Sequence, residues 1–444
     1  MFPTALQTLL SRPTVQSAVH NFGWLAGEKV VRFVFGVGIG FWLARHLGPV
    51  RLGTLSYCTA LVTLLGFVPS LGLDAVVKRD LLQLPEKASE LLASSFVLRL
   101  AASGLAYAAL LLVATGDWRG LSGDEPRLLA ILGLLLFQPV LFLPDLWLQV
   151  QLRAKLSVVV QLTALVVSSA LRVWLILGHG TLAAFAWVVV AEMLLGAAGI
   201  FVFARRSGLR MGGTFARLAT MRRLINEAWP LMFASLAIMV YMKIDEVMLR
   251  NLAGPAAVGI YSAAAKLSEV WYFLPMALAA SVLPAQLRVR EREGEEYARR
   301  QQQYYDLSAA AAYVLSIPIA LTAPWLVRLA YGAEFAAAGP ILAVHIWSSI
   351  FVFLGVARGQ WLVNEGLQKF YLVSTLAGAV ANVSLNLVLI PRWGGLGAAW
   401  ATVASYALAA WLASYLHPAV RATAAMQTRA LLIPFRALSY FRPS

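Results

Sequence analysis

The sequence predicts an all-α polytopic membrane protein, and three observations predict it. Mean hydropathy is +0.74. Hydrophobic residues make up 60% of the 444-residue chain and charged residues only 13%, against about half and about a quarter in a soluble domain. Apolar runs of roughly 20 residues, the length that crosses a bilayer core, recur from end to end. These runs do not alternate: LLASSFVLRLAASGLAYAALLLVA (91–114) has no period of two, which a transmembrane β-barrel would require.

The elements follow in order. Residues 1–21 are an N-terminal lead-in. No Lys or Arg precedes its short apolar core and no cleavage site follows, so it reads as mature protein and not as a signal peptide. Twelve spans come next. The first, 22–46, stops at Gly48-Pro49; the second, 54–77, stops before Pro85. Span 88–113 runs to the breaker cluster Gly123 to Pro126, where 127–150 begins. Spans 157–177 and 181–203 are divided by Gly178-His179-Gly180. A basic linker, 204–223, leads to 224–249 and 256–285, divided by Gly254-Pro255. Spans 304–330 and 339–363 meet at Gly339-Pro340, 370–390 ends at Pro391, and 395–416 precedes a basic tail, 417–444.

Loop charges orient the spans. Lys78, Arg79 and Lys87 lie in one set of loops, with Arg153, Lys155, Arg205, Arg206, Arg210, Arg217, Arg222 and Arg223. The same set includes Arg288, Arg290, Arg292, Arg299 and Arg300, and the tail adds Arg421, Arg429, Arg436 and Arg442. The opposite loops carry only Arg51, Arg119, Arg127, Arg250, Arg328 and Arg392. The positive-inside rule then places both termini in the cytoplasm. On a membrane protein the +15 net charge expresses that asymmetry, not affinity for nucleic acid.

The same pattern excludes several functions. No loop exceeds about thirty residues, so there is no room for a soluble catalytic or ATP-binding domain, and no phosphate-loop motif appears. The single cysteine, Cys58, forms no internal disulfide. The five histidines, His20, His46, His179, His345 and His417, have no metal-ligand spacing. His345 falls inside a span, packed or facing a pore. The chain is expected not to be an enzyme and to need no cofactor or metal.

An internal repeat points to transport. ARHLGPVRLGTLSY (44–57) matches LRNLAGPAAVGIYS (249–262) through Arg45/Arg250, Leu47/Leu252, Pro49/Pro255, Gly53/Gly259 and Ser56/Ser262. GTLAA (180–184) likewise resembles GGLGA (394–398), each opening the sixth span of its half. Two six-helix lobes, 22–203 and 224–416, are thus related by a parallel repeat, one way alternating-access transporters are built.

Charges inside spans mark candidate sites, because a charge at the bilayer centre costs several kcal/mol and faces a cavity or a partner. Arg32, Arg99, Arg172, Lys243 and Lys266 are candidates for an anionic substrate, since arginine offers a planar fork to phosphate and lysine a point charge. Glu28, Glu192, Asp245 and Glu269 are candidates for ion coupling or charge pairing. Spacing suggests a Glu28–Arg32 pair and a Lys266–Glu269 pair on single helix faces. Arg99 and Arg172 have no carboxylate within a turn of their own helix and need a partner from elsewhere. Asp245, Glu246 and Arg250 lie where a helix end reaches the interface, and Arg358 is placed to snorkel. Asn382 and Asn386 share a face and read as helix–helix packing.

ARHLGPVRLGTLSY, SLGLDAVVKRDL (70–81), KIDEVMLRNLAGPAAVGIYSAAAKLSE (243–269) and NVSLNLVLIPRWGGLGAAWATVASY (382–406) resemble, in order, the polysaccharide-unit flippases. These are the Wzx-like O-antigen and exopolysaccharide transporters of the multidrug/oligosaccharidyl-lipid/polysaccharide superfamily. The resemblance implies a MATE-like fold of two lobes around a laterally open cavity. It implies flipping of an undecaprenyl-pyrophosphate-linked oligosaccharide to the periplasmic leaflet of a bacterial inner membrane. Partners would be the lipid-linked oligosaccharide, membrane lipids and polysaccharide polymerase machinery. Coupling to H⁺ or Na⁺ is left open by the sequence. Of the basic candidates only Lys243 and Lys266 fall in a family-like motif, with Asp245 at its acidic position. The alternatives are a peptidoglycan-precursor flippase of the lipid II type, a small-cation drug exporter of the same fold, and a membrane glycosyltransferase. The last would need a larger outer loop than 114–126.

Overall fold

The computed structural model describes residues 13–116, 121, 123–209, 216–279, 282 and 294–440. Arg119, Arg210, Arg288, Arg290, Arg292 and Arg442 lie outside them, as does the Glu28 side chain. The described residues are mostly helical and include no strand. In order they form α1 (Pro13–Leu65), α2 (Phe67–Ser70), α3 (Leu73–Gln83), α4 (Ala88–Thr115), α5 (Glu125–Leu132), α6 (Gln138–Leu141), α7 (Leu143–Val150), α8 (Ala154–Leu177) and α9 (Leu182–Arg206). There follow α10 (Leu218–Ala253), α11 (Pro255–Glu269), α12 (Gly294–Tyr331), α13 (Ala338–His345), α14 (Ser348–Asn364), α15 (Gln368–Ala410), α16 (Arg421–Leu431) and α17 (Ile433–Tyr440).

Eight stretches are long and apolar enough to cross a membrane among the described residues. Two of them, Val34–Gln83 and Gln368–Leu416, contain non-helical breaks at Gly48 and Gly394 and so hold two expected spans each. With α10 and α11 these make up the twelve that the sequence predicts. The protein is a multi-pass membrane protein.

Packing divides the chain into two compact units. The first comprises the chain through His46 together with Cys58–Leu236, and the second comprises Leu47–Tyr57 together with everything from Ala237 on. The first unit's core gathers Leu73, Val76, Val77 and Leu81 of α3 against Leu91 and Leu92 of α4, Leu143 and Leu146 of α7, and Ile200 of α9. The second unit's core gathers Tyr305, Ala309 and Ala312 of α12 with Phe353 and Leu354 of α14 and Ala430 of α16.

The repeat is visible in the backbone. Gly48 (φ 69, ψ 173) and Gly254 (φ 85, ψ 172) adopt the same conformation, one open almost only to glycine. Each is followed by a proline that opens a helix, where a missing N–H does no harm. Within the second unit these two helix starts touch. A Cβ on Gly53 would collide with the Pro255 carbonyl oxygen, and one on Gly259 with the Pro49 carbonyl oxygen. The reciprocal contact explains why residues 47–57 pack with the second unit.

Several boundaries differ from expectation, each for a physical reason. Helix α3 continues to Gln83 where a loop was expected from residue 78, because Asp80 and Leu81 turn inward and are buried. Helix α10 begins at Leu218, inside the expected linker. Its first turns are charged, but α3 meets those charges: Arg223 bonds Asp80 at 2.7 Å, and Arg79 bonds both Asp80 and Glu227. The span 127–150 is no single helix; a 3-10 stretch, Gly133–Phe137, and a break at Phe142 interrupt it. Pro139 and Pro144 lack the N–H that would carry the helix through. The tail also folds: Thr423, Ala424, Gln427 and Ala430 form a buried face of α16, and Gln427 Nε2 donates to the Ala410 carbonyl at 2.9 Å.

Candidate functional site

The first unit holds a three-charge cluster built from three helices. Arg32 Nη1 of α1 donates to Glu192 Oε1 of α9 at 3.0 Å. Arg172 Nη2 of α8 donates to Glu192 Oε2 at 2.8 Å, and Ser168 Oγ, one turn earlier, donates to the same oxygen at 2.7 Å. All three charged side chains are partly exposed to a cavity of about 510 Å³, which Gln138 and Gln161 also line. Two guanidiniums share one carboxylate. An arginine has five donors, so the bonds to Glu192 use only part of what each guanidinium offers. The Glu28–Arg32 pairing lies outside the described side chains, and Arg32 reaches across to Glu192.

Arg99 lies elsewhere. It is 2% exposed and is not in the cavity lining. Its Nη2 donates to Asp74 Oδ1 of α3 at 2.6 Å and its Nη1 to the Pro139 carbonyl at 3.0 Å. The guanidinium thus ties α4 to α3 and α6, capping a carbonyl at the proline-broken span. Arg99→Ala is expected to lower stability by about 2 kcal/mol, the typical worth of charged hydrogen bonds. Thermal melting of the purified protein measures this, and an unchanged midpoint would count against the tie.

The second unit holds two polar groups that join α10 to α11. In the first, Lys243 Nζ bonds Glu246 Oε1 at 3.3 Å and Glu269 Oε2 at 3.4 Å. The expected Lys266–Glu269 pair does not form, because Glu269 is turned toward Lys243. Lys266 is exposed and forms no ion pair among the described residues.

The second group centres on Asp245, which is 2% exposed and does not reach an interface as its position suggested. Its Oδ2 lies 2.6 Å from the Tyr261 hydroxyl and 2.6 Å from Thr402 Oγ1, and its Oδ1 accepts from Asn386 Nδ2 at 2.5 Å. Asn386 also bonds Asn382 Oδ1 at 3.1 Å, and Asn382 bonds Ser405 at 3.3 Å. The asparagines therefore do link helices, and they do so by enclosing a carboxylate. No cation pairs with Asp245 among the described residues. His345, 2% exposed, packs edge-on against Tyr261. Thr402 has one hydroxyl hydrogen, yet Asp245 Oδ2 and the Ala398 carbonyl both lie within bonding distance. Asn386 Oδ1 is buried with no donor. This cage is rich in oxygen and short of hydrogens.

A cavity of about 540 Å³ opens in the same unit, lined by Tyr241, Tyr272, Tyr371, Tyr406, Gln360 and Arg358 among others. Tyr241 and Tyr406 stack at 4.0 Å. Arg358 does not snorkel; it is 2% exposed and points inward. Ser414 and Ser374 accept from its Nη1 and Nη2, each at 2.9 Å, while Nε has no partner. It forms no ion pair among the described residues. A charge inside an apolar span gave a signal in the sequence, but the partnering serines come from other segments and could not be read there.

A family model described as "Polysaccharide biosynthesis protein" matches residues 18–288, and one described as "MatE" matches residues 230–388. A protein named "Probable flippase AglR", from Haloferax volcanii, is 31% identical over 185 residues. That stretch covers 39% of this chain and 37% of the relative's length. Among solved structures, an inward-facing multidrug resistance MATE family transporter superposes with a TM-score of 0.68 at 15% identity, over 91% of this chain and 99% of that one. The lipid II flippase MurJ, in an inward closed conformation, gives 0.64 at 12% identity, over 96% and 94%. The fold is MATE-like.

Proposed function

Since this chain belongs to the polysaccharide biosynthesis protein family, we propose that it is a flippase and not an enzyme. Its substrate is an undecaprenyl-pyrophosphate-linked oligosaccharide, moved from the cytoplasmic to the periplasmic leaflet of a bacterial inner membrane. Both termini are cytoplasmic, on the side of the basic loops, and the delivered unit passes to polymerase machinery. The observation that carries this reading is the Arg32–Glu192–Arg172 cluster in its cavity. Two guanidinium forks held by one carboxylate suit a pyrophosphate, which accepts bidentate bonds from each. Glu192 keeps both forks in place when the site is empty and is outcompeted when a dianion enters. The tyrosine-lined cavity with Arg358 suits the glycan, since aromatic faces and a few polar groups are how sugar-sized ligands are oriented. No bond is made or broken. The protein shields polar surface that would otherwise cross hydrocarbon at a cost of many kcal/mol.

The Asp245 cage is the coupling site in this reading. A buried carboxylate with no cationic partner among the described residues, beside the donor-less Asn386 Oδ1, is completed by a proton or by a monovalent cation such as Na⁺. Glu269 and Lys243 hold each other beside it, and Lys266 remains available to the substrate.

Purified protein in liposomes, given fluorescent prenyl-pyrophosphate sugars, tests the proposal. Outward movement of an oligosaccharide-bearing lipid is the expected result. Movement of the lipid II type alone, or export of organic cations with no lipid flipped, would replace it. Arg32→Ala and Arg172→Ala are each expected to lower flipping about tenfold, the effect of losing one strong ionic hydrogen bond of roughly 1.4 kcal/mol. If both variants flip at the wild-type rate with normal membrane levels, the pyrophosphate does not bind there.

A further inference from the structure

An apolar groove of about 360 Å³ lies on the first unit, outside the charged cavity. Phe96 of α4, Val140, Leu141 and Pro144 of the broken span, and Leu194, Ala198 and Phe201 of α9 line it. Three helices independently place it at one depth. Phe96 lies eight residues from the start of α4, Pro144 six from the end of α7 and Phe201 five from the end of α9. At 1.5 Å per residue these are roughly 8–12 Å from the helix ends that carry the basic loops. The groove therefore sits in the acyl layer of the leaflet on that side.

A cation stands at its mouth. The Arg205 guanidinium lies 5.2 Å from the centre of the Phe201 ring, one turn further along the same face of α9. Arg205 is exposed and pairs with no carboxylate among the described residues. Just past the helix end, Arg153 Nη1 donates to the Ser207 carbonyl at 3.4 Å, bringing a second guanidinium to that end. A flat lipid-facing surface needs neither the concavity nor a free guanidinium seated on its aromatic rim.

We propose that this groove holds one acyl chain of an anionic phospholipid, with the phosphate on Arg205. The chain fills the apolar channel between α4, α7 and α9. Proline-broken backbone at Pro139 and Pro144 shapes the channel wall by interrupting the helix that would otherwise close it. A zwitterionic lipid of the same chain length fits the channel, but its quaternary ammonium offsets the phosphate charge and weakens the attraction to Arg205. An anionic headgroup near a surface arginine gains about fivefold in binding.

The test uses native mass spectrometry of the full-length protein in detergent, with phosphatidylglycerol or phosphatidylcholine of identical chains. Wild type is expected to retain phosphatidylglycerol at about fivefold lower lipid concentration than phosphatidylcholine. Arg205→Gln, an exposed change that leaves the fold intact, is expected to bring the two lipids level. Ala198→Trp fills the groove from an exposed position and is expected to lower retention of both. Equal retention of the two lipids by wild type, an unchanged preference in Arg205→Gln, or full retention in Ala198→Trp would each overturn the proposal. None of these readouts depends on flipping, so the lipid site and the transport reading fail separately.

Discussion

Asp245→Asn is expected to lower ion-driven flipping at least tenfold while leaving the protein folded. Asparagine keeps the shape of the side chain and accepts through one oxygen from Tyr261 and Thr402, so the cage can re-pair around it. What it cannot supply is the negative charge that attracts a proton or a monovalent cation. Asp245→Ala behaves differently: it removes the shared acceptor of the Tyr261 and Thr402 hydroxyls and of an Asn386 amide hydrogen, all buried, and leaves a cavity in its place. Hydrogen bonds to a charged group are worth about 1.5–3 kcal/mol each, so this variant is expected to be poorly folded. The pair of variants separates function from stability. Liposome flipping is measured with an imposed Na⁺ gradient and then with an imposed pH gradient. Wild type should respond to one of them and Asp245→Asn to neither. An asparagine variant that keeps the wild-type response would remove Asp245 from coupling.

Alanine at Gly53 or at Gly259 is expected to be the most destabilising small substitution in the second unit. The two helix starts approach so closely that a single methyl meets backbone, not a movable side chain. Overpacking of this kind costs typically 1–3 kcal/mol, and the helices must separate to relieve it. Because the contact is reciprocal, the two substitutions act on one interface. The double variant should therefore lose less than the sum of the singles, the non-additivity expected of residues in contact. Melting temperatures of the two singles and the double give the comparison. Strict additivity, or a Gly53→Ala protein that melts like wild type, would show that the segments do not meet. Gly254→Ala adds a separate check: its positive φ, like that of Gly48, strains any residue with a Cβ.

The sites were unevenly legible. Arg172 and Glu192 stood out because both are charges deep in apolar spans, and burial of charge is expensive whatever the fold. Their partnership was not legible, since they meet across two helices and 20 residues. Arg99 gave the same signal for a different reason. Its partner Asp74 lies on α3, a segment read as the tail of one span and the start of a loop. Depth alone does not distinguish a charge that faces a cavity from one that braces a broken helix. The spacing rule failed for Lys266 and Glu269: three residues apart permits contact, but Lys243 on the preceding helix competes and wins. Asn382 and Asn386 were read as packing because amides in lipid usually bond neighbouring helices. They do so here, and the helix they bond carries Asp245.

By itself the sequence determined the solvent and the period: helices crossing a bilayer, their number, the basic side, and a repeat anchored on Gly48-Pro49 and Gly254-Pro255. Those follow from hydrophobicity and from backbone conformations that only glycine and proline satisfy, properties that each residue carries regardless of its neighbours. The tertiary structure decided which charges answer one another. It placed two arginines on Glu192, one on Asp74, no carboxylate among the described residues on Arg358, and three polar side chains from α11 and α15 around Asp245. A charge acts over a few ångströms, so its role depends on which helices are brought beside it, and helix packing is a property of the folded chain that no local run of residues contains.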